Sequence, residues 1–292
     1  MNFAWNRWIN YLKSFDSLKA AVWKAVIAFG RVTRNNRDLP SFIIIGAQKA
    51  GTTSLFSYLS QHPELMPSIK KEIHFFDGGR YPWVDGNPRA EAWYRAQFPY
   101  QSSKTRRKKT FEASPFYLFN PETPRRIHAW MPEVKLIALL RNPSERAISH
   151  YFHGVRKDRE PLAMQAAFEA EEARLEESLA KKDYESFAFR KYSYKLRGRY
   201  KEQLERYFEV FDRKQILVLC SESFFADPRH NLNKVCKFLG IAEEFALDNL
   251  APANVGGNRS DVAPATYQYL NDYFKPYNEQ LFEFLGERYN WP

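Results

Sequence analysis

The segment Phe42-Ile43-Ile44-Ile45-Gly46-Ala47-Gln48-Lys49-Ala50-Gly51-Thr52-Thr53-Ser54-Leu55 constrains the fold more than any other stretch of the chain. Phe42 to Ile45 is an unbroken apolar run, the pattern of a strand buried on both faces in a parallel sheet. A loop bounded by Gly46 and Gly51 follows, and Thr52 onward can open a helix. Strand, glycine-bounded loop and helix N-terminus together make an anion cradle. Backbone N–H groups point inward, and the helix dipole favours negative charge.

The spacing of Gly46 and Gly51 is that of a phosphate loop, but Thr52 stands where a nucleotide hydrolase carries its lysine. Lys49 lies inside the loop instead. A lysine after the second glycine reaches the β- and γ-phosphates of a triphosphate; one inside the loop suits a leaving group departing from a single 5′-phosphate. No strand ending in a metal-binding aspartate is recognisable. The same residues would also serve an ordinary strand–turn–helix with two turn glycines. Gly46 to Leu55 resembles the 5′-phosphosulfate loop of sulfotransferases that use 3′-phosphoadenosine 5′-phosphosulfate (PAPS). The resemblance implies a P-loop-type α/β fold, with a central, mostly parallel sheet flanked by helices. It implies that Gln48, Lys49, Ala50, Gly51, Thr52, Thr53 and Ser54 hold the 5′-phosphosulfate.

A second strand-like run, Val134 to Leu140, leads into Arg141-Asn142-Pro143-Ser144-Glu145-Arg146-Ala147-Ile148-Ser149. Pro143 suits a helix start, where its missing N–H costs nothing. Arg141 at the strand end is placed for a bidentate grip on phosphate. Ser149 falls about two helical turns after Asn142. The segment resembles the 3′-phosphate-binding element of the same family, which implies that Arg141 and Ser149 hold the 3′-phosphate. A third segment, Lys70-Lys71-Glu72-Ile73-His74-Phe75-Phe76-Asp77, reads as a short extended strand with Glu72, His74 and Phe76 on one face. A carboxylate beside an imidazole suits removal of a proton from a hydroxyl or amine. A half-buried edge strand with a structural histidine would show the same pattern. The run is similar to the Glu-x-His-Phe-Phe-Asp pattern of heparan sulfate and related bacterial sulfotransferases. That likeness implies Glu72 as base, with weaker roles for His74 and Asp77.

Further along, Gln215 to Cys220 reads as a buried strand, and Asp227-Pro228 opens a helix running to Leu239-Gly240. The resemblance covers residues 41–292, with two departures. Ala113 occupies a place where many glycosaminoglycan sulfotransferases carry lysine. Asn254 to Arg259 replaces a Lys-Gly-Arg loop that clasps the nucleotide, leaving Arg259 as a candidate contact to the 3′-phosphate.

A formal charge of +10 implies an anionic partner. PAPS and an acidic acceptor satisfy it, and no nucleic-acid-binding motif is evident. Residues 1–38 form a basic amphipathic extension, with Trp5, Trp8, Ile9, Leu12, Phe15, Val22, Val26 and Phe29 at helical spacing; residues 39–292 form a single sulfotransferase domain. The extension suits either peripheral contact with an anionic membrane or packing on the domain or on a second subunit. Most carboxylates of the acidic run through Glu169, Glu171, Glu172, Glu176 and Glu177 read as a solvated helix face, and the resemblance implies that this region borders the acceptor cleft. Cys220 and Cys236 read as core fillers. No signal peptide or span is recognisable, so a cytoplasmic enzyme is expected.

The expected reaction is sulfuryl transfer from PAPS to a hydroxyl or amine, with a saccharide as leading acceptor and no metal. Glu72 serves as base, Lys49 meets charge on the departing phosphate, and His74 orients Glu72 or contacts the acceptor. The competing readings are a P-loop small-molecule kinase and a non-catalytic polyanion- or membrane-binding protein.

Overall fold

The computed structural model describes residues 20–78, 87–102, 105, 107–247, 250 and 262–292. Five strands build one all-parallel sheet in the order β2-β3-β1-β4-β5: β1 (Phe42–Gly46), β2 (Leu65–Pro67), β3 (Lys109–Ala113), β4 (Lys135–Leu140) and β5 (Ile216–Cys220). Parallel strands need crossover connections, and helices supply them on both faces. β1 is buried at every residue because it lies between β3 and β4 and under helices on both sides. At the sheet edge β5 is fully buried only at Ile216 and Leu219, so it is a half-covered strand rather than a buried one.

The helices are α1 (residues 20–32), α2 (Thr52–Leu59), α3 (Pro88–Arg95), α4 (Thr123–Trp130), α5 (Pro143–Val155), α6 (Met164–Glu169), α7 (Glu171–Ala180), α8 (Phe187–Tyr192), α9 (Tyr200–Phe208), α10 (Ser221–Ala226), α11 (Pro228–Leu239) and α12 (Pro264–Leu285). Local chemistry sets the ends that matter. Asn142 caps α5 by accepting from the N–H of Ser144 and Glu145, and Pro143 occupies its first turn. Asp227 caps α11, which closes on Gly240 in the left-handed conformation.

From β1 the chain crosses to β2 on one side, while β4 lies on the other. That reversal opens a crevice at the carboxyl ends of β1 and β4, where ligands bind in open α/β sheets. The loop after β1 and Arg141 after β4 both fall there.

Residues 1–19, including Trp5 and Trp8, lie outside the described residues. The part of the extension that is described packs on the body. Ile27 is buried, and a Cβ on Gly30 would stand 2.6 Å from the Cβ of Ala96. Arg37 donates to the Phe98 carbonyl, while Val22, Phe29 and Val32 face solvent. No described helix is long and apolar enough to cross a membrane. Glu171 departs from the solvated face expected of it. It is buried and accepts from the N–H groups of Lys195 and Leu196 at 2.5 and 2.8 Å, because α7 packs against the turn that leads into α9. Cys236 is in the core; Cys220 is half-exposed, its thiol 3.2 Å from Glu222.

Candidate active site

Both loop glycines are dictated by space. A Cβ on Gly46 would stand 2.6 Å from the Leu118 Cβ, and one on Gly51 would stand 2.5 Å from the Phe225 ring. Gly51 also adopts φ 98°, and Lys49 within the loop adopts φ 72°. Neighbouring elements tie the loop down. Ala47 N–H donates to the Leu139 carbonyl at 2.8 Å, Ser221 Oγ to the Ala50 carbonyl at 2.8 Å and Arg141 to the Lys49 carbonyl at 3.1 Å. The Gln48 side chain accepts from the buried guanidinium of Arg197. Gly51, the residue preceding α2, has no side chain to accept from the first helical N–H groups. The Ser54 side chain faces inward, fully buried and hydrogen-bonded to Tyr58. Thr52 is buried, and Thr53 lines the cleft.

Arg141 sits at the end of β4 as expected from the sequence, between the Lys49 carbonyl and the Glu145 carboxylate at 3.0 Å. The Tyr200 hydroxyl anchors its carbonyl at 2.8 Å. Ser149 is half-buried on α5, one turn beyond Glu145 and so on the same helix face. Arg259 lies outside the described residues.

Residues 70–77 are not a strand. Glu72 and His74 adopt φ 62° and 56°, so the chain turns sharply instead of extending. The turns nevertheless bring the carboxylate and imidazole together, with His74 Nε2 3.6 Å from Glu72 Oε2 and His74 Nδ1 2.6 Å from Asp77 Oδ2. Exposure grades inward, from 48% at the Glu72 side chain through 27% at His74 to 0% at Asp77. Lys71 holds the other Glu72 oxygen at 2.8 Å. Burial works against the His74 charge, but the hydrogen bonds to Asp77 and Glu72 raise its pKa to about 9. The His74 bond, helped by Lys71 and opposed by burial, lowers Glu72 to about 2. At neutral pH the Glu72 carboxylate therefore faces a His74 imidazolium, and the row runs from the cleft inward to buried Asp77.

A cavity of about 270 Å³ is lined by Thr53 and by Lys70 to His74, joining the anion loop to the Glu72–His74 pair. Its surroundings are basic. Lys49 is pushed below its usual pKa by burial and by Arg156 and Arg141, with Glu72 pulling the other way. His153 falls to about 4 through burial and the charges of Lys49, Arg156 and Arg159. Lys191 falls to about 8 through burial and its neighbours Arg159, Arg190 and Arg197. Lys191, Arg190 and Arg197 escape a sequence-only reading, because their relevance depends on the docking of α8 and of the Leu196–Gly198 turn here. Arg190 donates to the Asp77 carbonyl at 3.0 Å, and Arg190 and Arg197 both lie over the Phe116 ring, at 4.6 and 4.7 Å. The basic pair Arg190-Lys191 and the run Lys195 to Arg199 are the local signals. Among the described residues no group of His, Cys, Asp and Glu side chains is arranged to hold a metal ion.

Comparison with known proteins gives the same picture. The sulfotransferase domain family model matches residues 39–253. A sulfotransferase of Alicyclobacillus acidocaldarius is 32% identical, superposes with a TM-score of 0.66, and the match covers 86% of this chain and 98% of that one. Heparan sulfate glucosamine 3-O-sulfotransferase 5 of Homo sapiens is 26% identical over 276 residues, covering 88% of this chain and 75% of that protein. The bifunctional heparan sulfate N-deacetylase/N-sulfotransferase 4 of Mus musculus is 32% identical over 212 residues, which are 71% of this chain but 23% of that protein. A glycine-bounded loop at the crevice of a parallel sheet, a carboxylate–imidazole pair on the same cleft and a family model spanning most of the chain lead to one assignment: the chain belongs to the sulfotransferase family.

Proposed function

We propose that this sulfotransferase moves a sulfuryl group from PAPS to a hydroxyl or amine of a saccharide. The observation that carries the reading is the shared cavity, with Thr53 of the anion loop on one side and Glu72 and His74 on the other. The residues fit the donor. Two glycines leave room that a Cβ would fill, α2 begins without a side-chain cap, and Lys49 and Arg141 supply positive charge beside the loop. Bound there, the donor supplies an activated sulfuryl group. The saccharide acceptor is supported by the heparan sulfate enzymes among the relatives.

Glu72 takes the acceptor proton as the acceptor oxygen or nitrogen bonds to sulfur and the bond to the 5′-phosphate oxygen breaks. Tied to His74 and Lys71, the carboxylate is a weak base at rest. An entering hydroxyl that replaces one of those contacts raises its proton affinity just where the proton is released. Lys49 and the first N–H groups of α2 balance the charge that develops on the departing phosphate. Arg141 and Ser149 receive the 3′-phosphate, and Gln48, held by Arg197, keeps the loop in shape. Asp77 and Glu72 hold His74 as imidazolium, whose Nε2–H either orients Glu72 or, where the acceptor displaces that contact, donates to the acceptor.

Calorimetric titration with 3′-phosphoadenosine 5′-phosphate, with ATP and Mg²⁺ as control, tests the donor. Tight binding of the bisphosphate that is lost in Arg141→Ala supports it. Binding of ATP alone would overturn PAPS as the donor.

A further inference from the structure

Glu112 does not reach the cleft. It is fully buried at the carboxyl end of β3. Yet the backbone of the Glu72–Asp77 segment hangs from its neighbours. Glu72 N–H donates to the Ala113 carbonyl at 3.0 Å and His74 N–H to Ser114 Oγ at 3.3 Å. The N–H groups of Phe75 and Phe76 donate to the Tyr117 hydroxyl at 2.9 and 3.4 Å.

An amide N–H can only donate, so the Ser114 and Tyr117 oxygens are the acceptors in these contacts. Their own protons are thereby free to point elsewhere, and both point at Glu112. Ser114 donates to Oε2 at 2.8 Å and Tyr117 to Oε1 at 3.3 Å. Tyr94 of α3 adds a third O–H to Oε1 at 2.6 Å. The direction of the Ser114 and Tyr117 bonds follows from the backbone donors, and together with Tyr94 they end on one carboxylate.

This cluster sits under a strained part of the site. Glu72 and His74 are non-glycine residues in the left-handed region, a conformation that persists only where surrounding structure over-determines it. We propose that Glu112 is a positioning residue: through Ser114 and Tyr117 it holds the 72–76 backbone in the turns that aim Glu72 and His74 into the cleft. The inference rests on the reading of Glu72 as base.

The carboxylate form matters. Three O–H donors converge on it, and only an acceptor without protons of its own satisfies all of them. A protonated carboxyl or an amide brings a donor into the cluster, and one hydroxyl must turn away with its backbone anchor. The charged and titratable groups facing Glu112 are Tyr94 on α3, Tyr117 in the turn after β3 and Asp77 in the suspended segment. Burial pushes the Glu112 carboxyl up, the three hydroxyls pull it down and Asp77 adds an upward push, leaving it at about 7.

The test compares Glu112→Gln, Ser114→Ala, Tyr117→Phe and Glu72→Gln with wild type, using PAPS and a heparan sulfate oligosaccharide. In Glu112→Gln, kcat should fall by ~10- to 100-fold while KM for PAPS and the affinity for 3′-phosphoadenosine 5′-phosphate stay within about 2-fold. Tyr117→Phe removes one relay without changing volume and should fall less, in the same direction. Proton NMR titration of His74, assigned by its loss in His74→Asn, needs no acceptor. The wild-type value of about 9 should drop toward the ordinary histidine value of 6.5 in Glu112→Gln. Where Glu112→Gln does not fold, Ser114→Ala and Tyr117→Phe carry the same readouts. A lowered melting temperature with wild-type kcat and an unmoved His74 titration would overturn the proposal, leaving Glu112 as core only. Wild-type turnover in Glu72→Gln, with the Glu112→Gln titration shift intact, would instead remove the base and leave the positioning role standing.

Discussion

The proposed mechanism gives Glu72 and Lys49 different work, as proton acceptor and as charge beside the leaving phosphate, and their substitutions should separate. Glu72→Gln keeps the shape and removes the proton acceptor; kcat should fall by about 10²- to 10⁴-fold with bisphosphate affinity nearly intact. Lys49→Ala removes charge beside the leaving phosphate and should lower both turnover and bisphosphate affinity, by about 10²-fold or more in kcat. Steady-state kinetics together with calorimetry read both, and a Glu72 variant with wild-type turnover ends its role as base. Both residues stand out in the sequence because they sit at fixed offsets from glycines and aromatics. Their distant partners do not. Arg197 and Glu112 act on residues far along the chain, Gln48 and the 72–76 backbone, and nothing local marks them, whereas Asp77 meets His74 three residues away and belongs to the same local pattern.

Among the elements, the anion loop follows from the sequence and the Glu72 segment does not. An apolar run, two glycines and a helix opening are enough to specify β1, the loop and α2, because each signal is local. Gly51→Ala tests the loop. A methyl there meets the Phe225 ring at 2.5 Å on a backbone of φ 98°, whereas Gly286 at the end of α12 has φ 70° with nothing within 4 Å. Gly51→Ala should lose about 1–3 kcal/mol of stability together with bisphosphate binding. Gly286→Ala, carrying backbone strain alone, should lose less and bind normally. Equal behaviour of the two in thermal melts and titrations would mean that the Phe225 contact is immaterial. Alternation of side chains suggests an extended strand at 70–77, but hydrogen bonds to Ser114 and Tyr117 and the pull of Asp77 on His74 favour turns. Those partners lie about forty residues downstream or belong to the turn itself, out of reach of a periodicity argument.

For the whole molecule, stability should report the buried charges. Glu112 and Glu171 are raised by burial to about 7 from 4.5, so the folded state keeps protons that the unfolded chain releases, and stability from them falls across that window. His153, lowered to about 4 from 6.5, and His150, also lowered by burial, work in the opposite sense over much of the same range. The two effects offset between about pH 4.5 and 6.5. Above that, His74 dominates: raised to about 9, it contributes stability that is complete below 6.5 and lost as pH climbs through 9. Below 4.5, Glu72 and Glu160, both held down, lose theirs as they protonate. Melting temperature should therefore be level from about pH 4.5 to 6.5 and decline from there to about 8, where Lys191, lowered from 10.5, begins to work in the opposite sense; the decline should be flattened in His74→Asn. An unchanged alkaline limb in that variant would show that the His74 proton is not what the fold binds.

The sequence by itself determined the α/β class, the anion loop, the strand-end arginine and the carboxylate–imidazole pair, because backbone conformation at glycine, proline and apolar runs is set by neighbours a few residues away. Tertiary structure decided which of these meet. Parallel pairing of β1 with both β3 and β4 brings the loop, Arg141 and the end of β3 to one edge of the sheet. The docking of α8 adds the basic wall, and the Glu112 cluster bends residues 72–76 into the cleft. Such contacts join residues far apart in the chain, and their energies depend on burial, which no local pattern encodes.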